Sequence, residues 1–335
     1  MKAFINLPRN KVFDTFFTPE NIALAESLGE MVWVEGETQL SKAEVMEKIA
    51  DCDVYITGWG SQKLDAEVLA AAEKLKLHTH LCGSVSAFDD PCVWDAGVKV
   101  ISGNRYFAES VAEGTLGYML SALRDIPYYS HRTKTQRVWK SETDPNQGLA
   151  GKKIGIVSYG AIGRHMARIL SVFRTDVRVY DIKPLPEADV KAWRLAQVSL
   201  EAIFSECDII TLHTPLIPAT HHMVGRELLS KIKPGALLVN TSRGAVIDQA
   251  ALEEELATGR FRAFLDVYEV EPVPTDSPLY DLPNVTMIPH MGGPTVDLRQ
   301  VITHDLLLES KAFVEEGGDL PNEITKEMAS TMSVH

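Results

Sequence analysis

Ile154-Gly155-Ile156-Val157-Ser158-Tyr159-Gly160-Ala161-Ile162-Gly163 runs from a short apolar strand into a helix through a turn of small residues. A dinucleotide fingerprint places three glycines in such a turn, as GxGxxG. Here Ser158 stands at the first glycine position, and Gly160 and Gly163 occupy the other two. Gly160 lets the backbone approach a pyrophosphate, and Gly163 lets the helix pack closely on the sheet. The helix N-terminus offers free N–H groups and the positive end of its dipole to phosphate. Ser158 is small, so the turn survives with a modest backbone adjustment. Ser158, Tyr159, Gly160, Ala161, Ile162 and Gly163 are therefore the candidate cofactor turn.

The next strand ends at Tyr180-Asp181, and Asp181 lies 18 residues beyond Gly163 (181 − 163). A carboxylate there accepts hydrogen bonds from the adenine ribose and repels a 2′-phosphate, which favours NAD over NADP. The competing reading is an Asp that caps a loop, and Lys183 is a nearby cation that tolerates NADP.

Strands are expected from here at Ile154–Val157, Val177–Tyr180, Ile209–Leu212, Ala236–Asn240, Ala263–Asp266 and Val285–Met287, with helices between them. The N-terminal part alternates in the same way. Strands are expected at Ala3–Leu7, Met31–Val34, Val54–Thr57, Leu77–Leu81 and Val98–Ile101, with helices at Pro19–Leu28, from Ser41 (a capping box with Glu44) and at Asp65–Leu75. Such alternation gives parallel sheets covered by helices on both faces. A long helix is expected from Ala108 to Leu123, with small residues at Ala112, Gly114 and Gly117 that suit close packing. A polar segment follows to Gly151. A last long helix spans Asp297–Glu315, and the tail Pro321–His335 is expected to be partly disordered.

The 335 residues exceed what one core usually fills, which implies two domains. With 45% apolar and 24% charged residues the chain is neither disordered nor fibrous. A net charge of −13 without a Lys/Arg cluster excludes a nucleic-acid partner, whereas one well-placed Arg still serves a small anion. No apolar run approaches the ~20 residues that span a bilayer, and Met1–Asn6, before Pro8 and Arg9, lacks a signal-peptide core. Cys52, Cys82, Cys92 and Cys207 form no CxxC pair and show no metal-ligand spacing with His. Reduced, packed thiols in a cytoplasmic protein without metal or membrane partner are expected.

Three segments at strand ends concentrate polar residues: Asn240-Thr241-Ser242-Arg243-Gly244, Asp266-Val267-Tyr268-Glu269-Val270-Glu271-Pro272 and Pro289-His290-Met291-Gly292-Gly293. The carboxyl edge of a parallel sheet is where ligands bind in open α/β folds, and a guanidinium offers forked donors for a carboxylate or a keto-acid oxygen pair. Taken alone, His290 is as readily a packed or capping residue, and Glu271 a solvated one.

Together with Val111-Ala112-Glu113, His213-Thr214-Pro215-Leu216 and the cofactor turn, these ordered motifs resemble the D-2-hydroxyacid dehydrogenase family over roughly residues 75 to 315. The resemblance implies an NAD-dependent oxidoreductase that interconverts a small 2-keto acid and its D-2-hydroxy acid. Arg243 matches the substrate-binding Arg, Glu271 the partner of the catalytic His, and His290 the acid/base. Glu269, two residues from Glu271, is the competing candidate for that partner. Reducing a ketone needs a proton on oxygen, which an imidazolium stabilised by a carboxylate supplies. The resemblance also implies cofactor contacts at His213, Thr214, Pro215, Thr220, Thr241, Ser242, Asp266 and Gly292. Substrate contacts are implied at Cys82, Gly83 and Ser84, besides Arg243 and His290. The following segment Ser86-Ala87-Phe88-Asp89-Asp90 departs from the family's Asp-rich pattern beside the substrate pocket.

The implied architecture is α/β: a Rossmann NAD-binding domain with a doubly wound parallel sheet at 105–296, and a flavodoxin-like substrate domain from 1–104 and 297–335. Substrate and cofactor would meet in a cleft between them, and the helix from Ala108 suits a homodimer through the cofactor domain. Two alternatives stay open. Formate dehydrogenases of this fold carry Gln where this chain has Glu271, whereas phosphite dehydrogenases keep Arg, Glu and His. NAD-sensing corepressors use the fold as an interaction surface.

Overall fold

The computed structural model describes residues 1–333. Its contacts divide the chain into two compact units, one formed by Met1–Phe107 with the residues from Pro294 onward, the other by Ala108–Gly293. The crossings thus fall three residues from the expected boundaries.

The first unit carries five strands: β1 Lys2–Asn6, β2 Glu30–Trp33, β3 Val54–Thr57, β4 Leu77–His80 and β5 Lys99–Ser102. They pair in parallel in the order β2-β1-β3-β4-β5, the flavodoxin-like arrangement. The strands are short apolar runs because both faces are covered. Ala3, Ile5, Val54, Ile56, Leu77 and Ile101 enter one core layer, with Ile302, Leu306 and Leu307 of the C-terminal helix Val296–Glu316. Phe4, Tyr55, Val85, Val93 and Val100 enter the other. Ser41 and Glu44 close the expected capping box ahead of the helix Lys42–Ile49.

The second unit carries β6 Lys153–Val157, β7 Asp176–Tyr180, β8 Ala196–Gln197, β9 Ile209–Leu212, β10 Leu237–Asn240, β11 Arg262–Leu265 and β12 Val285–Met287. All are parallel, in the order β12-β11-β10-β9-β6-β7-β8. Strand order reverses beside β6, and that switch point is where a doubly wound sheet opens a crevice at its carboxyl edge. Ile154, Ile156, Val177, Val179 and Val239 fill one layer, and Val157, Ile210, Leu212, Leu238 and Leu265 the other.

Three expectations need correction. The long helix begins at Asn104, not Ala108, because the Ser102 hydroxyl accepts the Asn104 N–H at 3.2 Å and supplies a start signal. The segment after it is not merely polar. It forms a helix, Ile126–His131, and a π-helical turn, Arg132–Gln136, with Tyr128 and Trp139 exposed. The tail is ordered through its described part. Ile324 N–H donates to Val100 O at 2.8 Å, Trp94 Nε1–H donates to Ile324 O at 2.9 Å, and Lys326–Ala329 is helical. Val334 and His335 lie outside the described residues. Cys52, Cys82 and Cys207 are buried free thiols, and Cys92 is a half-buried one. No helix among the described residues is long and apolar enough to cross a membrane.

Candidate active site

Strand β6 delivers the cofactor turn. Ser158 has φ +77°, the left-handed region that favours glycine, so the serine takes the conformation that the missing fingerprint glycine would adopt freely. Such strain costs ~1–3 kcal/mol. It is offset locally, because Ser158 N–H donates to Tyr180 O at 2.8 Å and its hydroxyl lies 2.9 Å from the Thr214 hydroxyl. Gly163 is obligatory, since a Cβ there would sit 2.1 Å from Ser158 O. Gly160 is the N-cap of the helix Ala161–Leu170. It makes no side-chain cap, and a Cβ on it would meet nothing within 4 Å. The space beside Gly160 is thus open, and a helix start without a side-chain cap leaves first-turn N–H groups to a ligand, a cradle that fits a dinucleotide pyrophosphate.

Asp181 follows β7. Its Oδ2 accepts the Tyr159 N–H at 2.7 Å and its Oδ1 the Lys183 N–H at 2.8 Å. The loop-capping reading is therefore true of this residue. It leaves capacity for a ribose hydroxyl, because each carboxylate oxygen can accept a further hydrogen bond. Tyr159 is also tied through its hydroxyl to Asp189, which holds Arg164 in a two-pronged ion pair.

The loop after β9 begins with His213, which is buried with Nε2 3.0 Å from the Thr211 hydroxyl. Its Nδ1 has no hydrogen-bond partner among the described residues. Burial pushes this imidazole down to about 3, so it is neutral at physiological pH. Thr214 is buried. The Thr220 hydroxyl lies 2.6 Å from Pro215 O and accepts the Ile217 N–H at 2.9 Å, so it closes this loop on itself.

Asn240 ends β10 and shapes the turn that presents Arg243. Its Oδ1 accepts from Ser242 N–H and the Ser242 hydroxyl at 3.0 and 2.8 Å, and its Nδ2 donates to Arg243 O. Thr241 pairs with Thr115 of the helix Asn104–Leu123, their hydroxyls 3.0 Å apart. A Cβ at Gly244 would lie 1.8 Å from Tyr268 C, so only glycine can follow Arg243. Arg243 donates from Nη1 to Ser242 O at 2.7 Å. Burial lowers its guanidinium from the usual arginine range while the Glu271 carboxylate opposes that shift, and it remains a cation.

Asp266, after β11, is enclosed, and its carboxylate accepts Met291 N–H at 2.5 Å and Gly292 N–H at 2.8 Å. Burial raises its carboxyl above the ordinary range, and these two N–H groups draw it back. A Cβ on Gly292 would fall 2.5 Å from Asp266 Oδ2. Asp266 O also accepts His290 N–H at 2.9 Å, and His290 itself has φ +52°. Asp266 thus shapes the loop that carries the histidine.

His290 Nδ1 and Glu271 Oε2 are 2.7 Å apart, and Glu271 Oε1 accepts Tyr268 N–H at 2.9 Å. Glu269 turns elsewhere, its Oε1 2.9 Å from His222 Nε2. Sequence reasoning missed Asn240 and Tyr268 as positioning residues. Tyr268 is held by its hydroxyl to Leu265 O and Ile288 O. The signal for Asn240 was an amide-bearing residue at the end of an apolar strand, where it readily forms an Asx turn.

Cys82, Gly83 and Ser84 follow β4 in the other unit. The Cys82 thiol is enclosed in the core with Leu81, Ile101 and Ile302, and burial pushes it upward, so it is not a side chain available to a ligand. The Ser84 hydroxyl donates to Ser333 O at 2.8 Å.

Residues 116–292 match the sequence model of the D-isomer specific 2-hydroxyacid dehydrogenase NAD binding domain. A hydroxypyruvate reductase of Thermotoga maritima is 34% identical over 83% of this chain and 89% of its own length. A D-3-phosphoglycerate dehydrogenase of Methanocaldococcus jannaschii is 35% identical over 83% of this chain, which spans only 52% of that longer protein. Among solved structures, the apo D-lactate dehydrogenase of Escherichia coli superposes with a TM-score of 0.71 at 26% identity, covering 97% of this chain and 100% of that one.

Proposed function

From the premise that this chain belongs to the D-isomer specific 2-hydroxyacid dehydrogenase family, we propose that it interconverts a small 2-keto acid and the corresponding D-2-hydroxy acid. NAD, when bound, supplies or accepts the hydride. Ser158 to Gly163, Asp181, His213 to Pro215, Thr220, Thr241, Ser242, Asp266 and Gly292 are the residues assigned to hold it.

The observation that carries this reading is the contact between His290 Nδ1 and Glu271 Oε2 at 2.7 Å. With Nδ1–H committed to the carboxylate, Nε2 is the nitrogen that carries a transferable proton. In reduction that proton goes to the carbonyl oxygen, and in oxidation Nε2 takes it from the hydroxyl. Glu271 holds the ring and offsets the charge that the ring gains. Arg243, locked in place by Asn240 and Gly244, offers the fork that binds the substrate carboxylate and polarises the carbonyl. Cys82 to Ser84 are assigned to the substrate through backbone rather than side chain.

Stereochemistry tests this assignment. NAD reduction with paired D- and L-2-hydroxy acids is expected to proceed with the D isomer alone, and turnover of the L isomer would refute it.

A homodimer formed through the second unit accompanies this reading. Ile126, Tyr128, Val138 and Trp139, which follow the long helix in the chain, are 54, 57, 39 and 78% exposed, and a partner subunit would cover them. The free thiols suit the cytoplasm, a reducing compartment.

A further inference from the structure

His221, His222 and Glu269 each place one ligand-type atom so that all three lie within 4.8 Å of one another. None of them has a role in the chemistry above. Consecutive side chains of an extended chain point to opposite sides. Here His222 has φ +52°, and the two imidazoles instead stack with centroids 4.0 Å apart and planes at 29°. Glu269 reaches them from a distant segment, with its Oε1 2.9 Å from His222 Nε2.

The backbone that presents these groups is fixed from several sides. His222 N–H donates to Ala245 O at 2.8 Å, Val224 N–H to Val246 O at 3.0 Å, and Glu269 N–H to Gln249 Oε1 at 3.0 Å. His221 and Glu269 are exposed and His222 is half-buried, so an ion can reach them from solvent.

We propose that His221, His222 and Glu269 form a binding site for one divalent transition-metal ion of the zinc class. Two imidazole nitrogens and a carboxylate oxygen suit zinc, cobalt or nickel, whereas magnesium and calcium call for oxygen-rich sets. Bonds of about 2.1 Å in tetrahedral geometry set ligand atoms about 3.4 Å apart. The His222–Glu269 pair is already inside that spacing, and side-chain rotation brings His221 in. Water completes the coordination. The ion replaces the His222–Glu269 hydrogen bond and ties the His221-His222 turn to the segment that continues into Glu271. The site stands whether or not the chain turns over a keto acid.

The test is titration of the untagged, chelator-treated full chain with Co²⁺. One equivalent is expected to bind saturably with visible d–d absorption, which added Zn²⁺ bleaches. His221→Asn and Glu269→Gln are each expected to weaken Co²⁺ binding by about ten-fold or more (~1.4 kcal/mol). His304→Asn, at an exposed histidine paired with Asp305 elsewhere, leaves it unchanged. Cooperative melting of each variant separates lost binding from lost fold, and His222→Gln provides an independent check. No saturable one-equivalent signal in the wild-type chain, or unchanged affinity in the folded His221→Asn/Glu269→Gln double variant, overturns the proposal.

Discussion

Glu271 meets His290 across 2.7 Å, whereas Glu269, two residues earlier, faces His222. In the proposed mechanism the carboxylate and the imidazole act as one device. His290→Ala is expected to lower kcat by ~10²–10⁴ and Glu271→Ala by about 10–10², with NADH affinity retained. The double variant should be no slower than His290→Ala alone, because the carboxylate works only through the ring. Multiplying losses would show that the two act separately.

Asp181 caps the loop after β7, and the proposed reading also gives it cofactor discrimination; Asp181→Asn separates the two. The amide oxygen still accepts from backbone N–H, while the charge that repels a 2′-phosphate is gone. The ratio of kcat/KM for NADPH over NADH is expected to rise about ten-fold or more. An unchanged ratio would assign cofactor choice to other residues.

His213 links stability to acid. Its folded-state value, about 3, lies below the ordinary value of 6.5, so between these pH values the unfolded chain binds a proton that the native chain refuses. Stability from this residue is fully present above pH 6.5 and falls as pH drops toward 3, by an amount on the order of 4–5 kcal/mol at ~1.4 kcal/mol per unit. Denaturant melts of His213→Asn at pH 7, 5.5 and 4.5 should show a shallower acid loss than the wild-type chain. Parallel slopes would contradict a buried neutral imidazole.

Exposed Tyr128 and Trp139, on the reading that a partner subunit covers them, predict an oligomer. Light scattering of the wild-type chain should give twice the mass of one chain, and Trp139→Glu with Tyr128→Glu should give the single mass. A monomeric wild-type chain would remove the dimer from the account.

Much of this architecture is legible in the sequence because parallel strands covered on both faces read as continuous apolar runs. Val54–Thr57, Ile209–Leu212 and Val285–Met287 fall where those runs place them. β8 is not legible, since two exposed residues, Ala196 and Gln197, carry no apolar pattern. Nor is the order of the tail, which rests on Ile324 and Ala329 and on distant partners such as Trp94 and Val100. At the site, the glycines announce the cofactor turn, but the left-handed backbone of Ser158 does not show in a residue type. Glu269 and Glu271 are chemically equivalent in sequence. Only folding separates them, with Tyr268 N–H holding Glu271 in place and Gln249 receiving the Glu269 N–H. The His221-His222 pair shows no metal spacing either, because its third ligand lies 47 residues beyond His222.

The most direct measurement is NADH oxidation with glyoxylate, pyruvate, hydroxypyruvate, oxaloacetate, phenylpyruvate and branched-chain keto acids, run on the wild-type chain and on Arg243→Lys. A lysine keeps the charge and loses the fork. The account predicts wild-type turnover of at least one acid, a fall in kcat/KM of about 10² or more in Arg243→Lys, and equal NADH affinity in both. Silence of the wild-type chain toward every acid while NADH binds, or full activity in Arg243→Lys, would contradict it.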